Sequence, residues 1–186
     1  MSKTASQRRA TPGSAAVRST VHGLAACCLL AGCFAVAAPV PSVARSLVNR
    51  RAPEFARNDL AGKSVDLKNF RGKVVLLNFW ATWCAPCQLE MPIFAAWQRR
   101  YGPDGLQVLG ISMDDDATPV AGLAAKLKLN YPVLMGDANL GREYGGVLGL
   151  PLTYLIDRDG LVRARFQGET DLKTMEKRLQ TILAQP

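Results

Sequence analysis

Histidine is all but missing from this chain of 186 residues; the single one, His22, lies near the N-terminus. Cysteine is as unevenly placed: Cys27, Cys28 and Cys33 share that N-terminal stretch, and only Cys84 and Cys87 lie beyond it. Everything after residue 38 therefore lacks an imidazole, and with it a Cys–His nucleophile or a histidine-bearing metal site. One cysteine pair is no disulfide framework either. Acidic residues are absent from residues 1–38, which carry Lys3, Arg8, Arg9 and Arg18; the remainder holds 19 basic against 15 acidic residues, so the formal charge of +8 falls to +4. Those charges are scattered, with no arginine stripe interleaved with aromatics, which argues against a nucleic-acid partner. No internal repeat is visible, and the length suits one domain with a sizeable core.

The N-terminal stretch reads as an export leader. Residues 1–20 are basic and polar, and the stretch from Ser19 to Ala44 contains no Lys, Arg, Asp or Glu. Its most apolar part, Gly23 to Ala38, spans 16 residues, short for a membrane helix and right for a signal-peptide core. Ala35-Val36-Ala37-Ala38 offers cleavage after Ala37 or Ala38. Leu30-Ala31-Gly32-Cys33 resembles a lipoprotein box that would leave Cys33 lipidated, although the sequence stays apolar after it. Retention of residues 21–43 as a membrane anchor is the third option, and Arg8-Arg9 reads as an ordinary charged n-region. The expected organisation is thus a signal peptide or anchor over residues 1–38, a linker over 39–50, and one folded domain over 51–186, in a periplasmic or other extracytoplasmic location.

The domain shows strand and helix patterns in alternation. Ala52-Pro53-Glu54-Phe55 and Lys63 to Leu67 suggest an N-terminal hairpin around Asn58-Asp59-Leu60-Ala61-Gly62. Val74 to Phe79 is an apolar β-rich run, expected as a central strand. Cys84 to Tyr101 reads as a helix, with Pro86 in its first turn, where a missing N–H costs nothing, and Pro92 inside it as a kink site. Leu106 to Ser112 is a second strand. Ala117 to Leu129 is a helix, Tyr131 to Leu134 a short strand, and Ala138 to Tyr144 a short helix. Leu152 to Ile156 and Leu161 to Phe166 flank Asp157-Arg158-Asp159-Gly160 as a hairpin. Asp171 to Ala184 closes the chain as an amphipathic helix with Leu172, Met175, Leu179 and Ile182 facing inward. The order implies an α/β fold: a mixed central sheet, helices on both faces, an N-terminal hairpin and a central helix–strand insertion.

Chemistry concentrates in Trp83-Cys84-Ala85-Pro86-Cys87, at the exit of the central strand and the start of a helix. Unpaired N–H groups and the helix dipole favour a thiolate there, so the pair reads as a redox-active dithiol. A zinc site would need a second cysteine pair or histidines, and a structural disulfide closed over two residues removes little chain entropy.

Phe79-Trp80-Ala81-Thr82-Trp83-Cys84-Ala85-Pro86-Cys87, then Glu90-Met91-Pro92, then Gly149-Leu150-Pro151-Leu152-Thr153-Tyr154-Leu155-Ile156-Asp157 resemble the TlpA/ResA-type thioredoxin-like thiol-disulfide oxidoreductases, over roughly Arg51 to Ala184. The resemblance implies a thioredoxin-like fold and no cofactor or metal. It implies that Cys84 is an exposed attacking thiolate and Cys87 the resolving cysteine. Pro151 matches the family's cis-proline, which sets the Leu150 backbone where an extended substrate can pair with it. Glu90, three residues after Cys87, matches a glutamate near the active site that affects thiol ionisation, a solvated helix residue being the plainer alternative. Trp83 is expected on the partner surface. Asn78 stands where cytoplasmic thioredoxin has a buried aspartate; asparagine cannot take a proton from Cys87, and Asn is usual in the TlpA/ResA group.

Ala85-Pro86 supplies no cation between the cysteines, so a strongly oxidising pair is not expected. The expected activity is reduction of disulfide-containing client proteins, with recharging by a membrane electron donor, in cytochrome c maturation or copper-oxidase assembly. Two other functions compete. A peroxiredoxin-like peroxide reductase would place one peroxidatic cysteine in a Thr-x-x-Cys setting, and a metal chaperone of the copper-carrier type would need a histidine.

Overall fold

The computed structural model describes residues 46–185. The expected leader, with its cleavage points, Cys33, Arg8-Arg9 and the 21–43 anchor, lies outside the described residues. Among the described residues no helix is long and apolar enough to cross a membrane.

A hairpin of β1 (Ala56–Asn58) and β2 (Ser64–Asp66) leads through a 3-10 turn (Leu67–Phe70) into β3 (Val74–Trp80). Then follow α1 (Ala85–Tyr101), β4 (Leu106–Ser112), α2 (Ala117–Lys126), β5 (Val133–Met135), α3 (Ala138–Glu143), β6 (Leu152–Ile156), β7 (Val162–Gln167) and α4 (Leu172–Leu183). The five-stranded sheet has the order β5-β4-β3-β6-β7. β3 runs parallel to β4 from Val74↔Leu106 to Trp80↔Ser112, and antiparallel to β6 from Val75↔Ile156 to Phe79↔Leu152. Every residue of β3 is buried, as a strand covered on both faces must be.

Alternation along β3 divides the interior in two. Val74, Leu76 and Trp80 face Met91 and Phe94 of α1, Val120 of α2, and Met175, Leu179 and Ile182 of α4. Val75, Leu77 and Phe79 face Phe55, Val65 and Leu67 of the N-terminal segment, Leu140 of α3, and Tyr144. Helices thus cover both faces, and α2 with β5 forms a helix–strand segment between β4 and α3.

Three boundaries move by more than one residue, each for an identifiable reason. The first hairpin strand begins at Ala56 and not at Ala52, because Pro53 has no N–H and the Ala52 N–H donates to Gly160 C=O at 3.0 Å. β5 starts at Val133, one residue after Pro132, although Tyr131 is buried as expected. α2 stops at Lys126, because Lys128 turns left-handed at φ 51°. α1 continues through Pro92 as one element. The last residues of the expected linker are held against the domain: Leu47 and Val48 pack on the second core, and Asn49 N–H donates to Val162 C=O at 2.7 Å.

Candidate functional site

β3 carries the chain to the C-terminal end of the parallel β3–β4 pair, and Cys84 caps the helix that follows. Its backbone is extended (φ −88°, ψ 99°), and its Sγ accepts from the Cys87 N–H at 3.3 Å. Pro86 lies in the first turn, where its missing N–H leaves no bond unmade. Cys84 and Cys87 are joined as a disulfide with S–S 2.02 Å and Cα–Cα 5.3 Å. The expectation of an exposed Cys84 is corrected: it is only 4% exposed, against 0% for Cys87. Bonded to Cys87, it sits within the core cluster that α1 contributes to. Trp83 beside it is 72% exposed.

The loop before β6 meets this end of β3, since Leu152 pairs with Phe79. The Leu150–Pro151 peptide bond is cis. Pro151 is buried, and its C=O accepts from the Gly168 N–H at 2.8 Å, while no backbone hydrogen bond engages Leu150 among the described loops. Leu150 packs against both cores.

Behind the dithiol the structure buries two polar side chains. Asn78 is 1% exposed; its Nδ2 donates to Thr153 Oγ1 at 2.9 Å, and its Oδ1 has no protein partner. Alternation along β3 puts it on the α1 face, with Leu76 and Trp80. Glu90, on the turn after Cys87, is also buried, and its Oε2 has no partner. Burial, and secondly the negative charge of Glu169, raise its carboxyl to about 7. A carboxyl poised there gains or loses a proton near neutrality, which Asn78 cannot do. The solvated-helix alternative for Glu90 is therefore not what the fold produces.

One part of the site was not anticipated from the sequence. The Asp114 carboxylate accepts from Thr82 N–H at 2.9 Å, Thr82 Oγ1–H at 2.6 Å and Ser112 Oγ–H at 2.7 Å. Gln88 of α1 donates to Thr82 C=O at 2.7 Å. These bonds tie the turn before Cys84 both to the end of β4 and to α1. The available signal was register: with Trp80 opposite Ser112, Thr82 and Asp114 lie at equal distances past the ends of parallel strands.

The arrangement joins a cysteine pair at a helix N-terminus, a cis-proline loop and a buried carboxyl. Comparisons agree with that chemistry. The family model described as AhpC/TSA family matches residues 48–165. Thiol-disulfide oxidoreductase ResA of Bacillus thuringiensis subsp. konkukian is 35% identical over 135 residues, covering 73% of this chain and 78% of that protein. Thioredoxin-like protein YneN of Bacillus subtilis is 35% identical over 133 residues, 70% of this chain and 77% of its own. A thioredoxin-family thiol:disulfide interchange protein from Chlorobium tepidum TLS superposes with a TM-score of 0.67 at 27% identity, over 72% of this chain and 96% of that one.

Proposed function

The chain belongs to the AhpC/TSA family and is a thiol-disulfide oxidoreductase related to ResA; from that premise we propose that it is exported and reduces disulfides in client proteins. The observation that carries the reading is the Cys84–Cys87 pair at the start of α1, beside the Leu150–Pro151 loop.

In the reduced protein the helix N-terminus favours the Cys84 thiolate. Cys84 attacks one sulfur of the client disulfide; a mixed disulfide forms, and the other client sulfur leaves as a thiolate. Cys87 gives its proton to Glu90 and attacks Cys84 Sγ. The Cys84–Cys87 bond forms, the mixed disulfide breaks, and the second client sulfur leaves and is protonated. Two electrons have passed to the client, and a membrane electron donor restores the dithiol. Trp83 and the Leu150–Pro151 loop hold the client; the unengaged Leu150 backbone supports that role. The lack of a cation between the cysteines supports the reducing direction. A basic N-terminus followed by the charge-free, apolar stretch from Ser19 to Ala44 supports a periplasmic location for a redox domain over residues 51–186, with residues 1–38 as signal or anchor and 39–50 as connector. Clients in cytochrome c maturation or copper-oxidase assembly fit such a location.

Trapping tests the reading. Replacing Cys87 by Ala in the native cell is expected to leave clients disulfide-linked to Cys84. Cys84 recovered reduced and without any linked protein would overturn it, and rapid peroxide consumption by the pure protein would move it to the peroxidase branch.

A further inference from the structure

The β6–β7 hairpin borders a cleft of about 250 Å³, lined by Leu47, Gly145, Leu148, Tyr154, Arg165 and Gln167 among others. It adjoins the cis-proline loop directly. Gln167 pairs with Leu152, and its Nε2 lies 3.7 Å from where a Cβ on Gly149 would stand. Leu148, on the rim, is 87% exposed.

Arg165 is half-buried in this cleft, and the partners of its guanidinium are neutral. Its Nε donates to Tyr154 Oη at 3.2 Å, and one Nη2 hydrogen to Gln167 Oε1 at 2.6 Å. Both hydrogens of Nη1 and one of Nη2 are left without a partner among the described residues. Arg163, two residues earlier on the same face of β7, is different: its Nε donates to the Asp157 carboxylate at 2.5 Å. No carboxylate lines the cleft around Arg165. The residues outside the description do not supply a side-chain one, for residues 1–45 contain no Asp or Glu. Gln185, the last described residue, is at the opposite end of the hairpin, where its C=O accepts from Arg158 Nε at 3.2 Å.

A guanidinium stays charged at any physiological pH, and partial burial costs it hydration unless an anion takes its place. Tyr154 itself is fixed, since its hydroxyl also donates to Tyr144 C=O at 2.5 Å, so the guanidinium is anchored through Nε and one Nη2 hydrogen on the cleft lining, with its remaining donors unengaged. We propose that the cleft is a client subsite which receives an aspartate or glutamate side chain near the client's reactive cysteine, with Leu148 covering an apolar neighbour. This rests on the reading of the dithiol as a reductant of protein disulfides.

The test uses the reduced full chain and a series of cystine peptides in which one Asp is moved through the four positions on either side of the cysteine, each with its Asn counterpart. At one or two positions the Asp peptide is expected to be reduced about 3- to 10-fold more efficiently than its Asn twin. That ratio should fall to one in Arg165→Gln, and in the wild type it should shrink as salt rises toward 0.5 M, a readout that needs no variant to fold. A wild-type ratio of one at every position, or a ratio that survives Arg165→Gln or high salt, overturns the proposal. Should no peptide be reduced at all, the dithiol reading fails. The subsite is then judged by titrating cysteine-free Asp and Asn peptides against the oxidised protein, where equal affinities overturn it.

Discussion

The two faces of the central sheet are finished to different standards. On the face toward α3, Phe79, Tyr144 and Tyr154 meet with ring centroids 5.2 to 6.3 Å apart. Both tyrosine hydroxyls are satisfied there, by Pro53 C=O at 2.8 Å and Tyr144 C=O at 2.5 Å. The face toward α1 and α4 has an apolar core of similar extent, yet Asn78 Oδ1, Trp80 Nε1 and Glu90 Oε2 are buried there without a protein partner. A buried polar group left so costs on the order of 1–3 kcal/mol. The α3 face therefore serves mainly stability, while the dithiol face gives up some stability to keep polar groups beside a redox centre.

Removing a side chain from the α3 face should separate the two most sharply. Leu109 is fully buried there, and Leu109→Ala should lose about 2–5 kcal/mol of unfolding free energy in urea titrations. Disulfide reduction per folded molecule should stay at the wild-type level, and a parallel loss of turnover would break the division of labour.

A pH series on the oxidised protein addresses the other face. Glu90 holds its proton in the folded state up to about 7, against 4.5 as its ordinary value. Between these values the folded protein binds more protons than the unfolded one, so stability falls as pH rises through the interval. Glu90 contributes a decline on the order of 3 kcal/mol, complete above pH 7. Glu90→Gln should flatten the profile from pH 4.5 to 8; an equally steep profile in that variant would show that Glu90 is not its source.

A smaller effect is expected at the join between the dithiol turn and β4. Asp114→Ala leaves the Thr82 N–H and the Thr82 and Ser112 hydroxyls without their acceptor, and should cost about 1–2 kcal/mol in thermal or urea unfolding. Because those bonds position the residues before Cys84, the rate of thiol–disulfide exchange should fall several-fold while the α3-face tyrosines keep their near-UV signal. Wild-type exchange kinetics in this variant would reduce the network to a structural tie.

Local pattern made much of this architecture legible. Val74 to Trp80 is apolar and rich in β-formers except for Asn78, the pattern expected of a strand covered on both faces. Met175, Leu179 and Ile182 recur at helical spacing and are the buried residues of α4, and Asp171 before them caps the helix as its position suggests. Where reading along the chain failed, a distant contact or a proline intervened. The hairpin strand slid to Ala56 because Ala52 is bound to Gly160 from another hairpin. Asp114 is one of three consecutive acids after a strand, and nothing within a few residues of it announces Thr82.

Read alone, the chain establishes the strand–helix order and the cysteine pair at a helix N-terminus, because each depends on spacing within a few residues; Glu90 and Pro151 came as candidate partners from the family resemblance. Tertiary structure decided what those residues experience. The parallel register of β3 and β4 brought Asp114 to Thr82, core packing covered Cys84, and helix packing buried Glu90 until its carboxyl rose to about 7. It also placed Arg165 in a cleft without an acid. Burial and charge environment are sums over neighbours far apart in the chain, and only the folded form sets them.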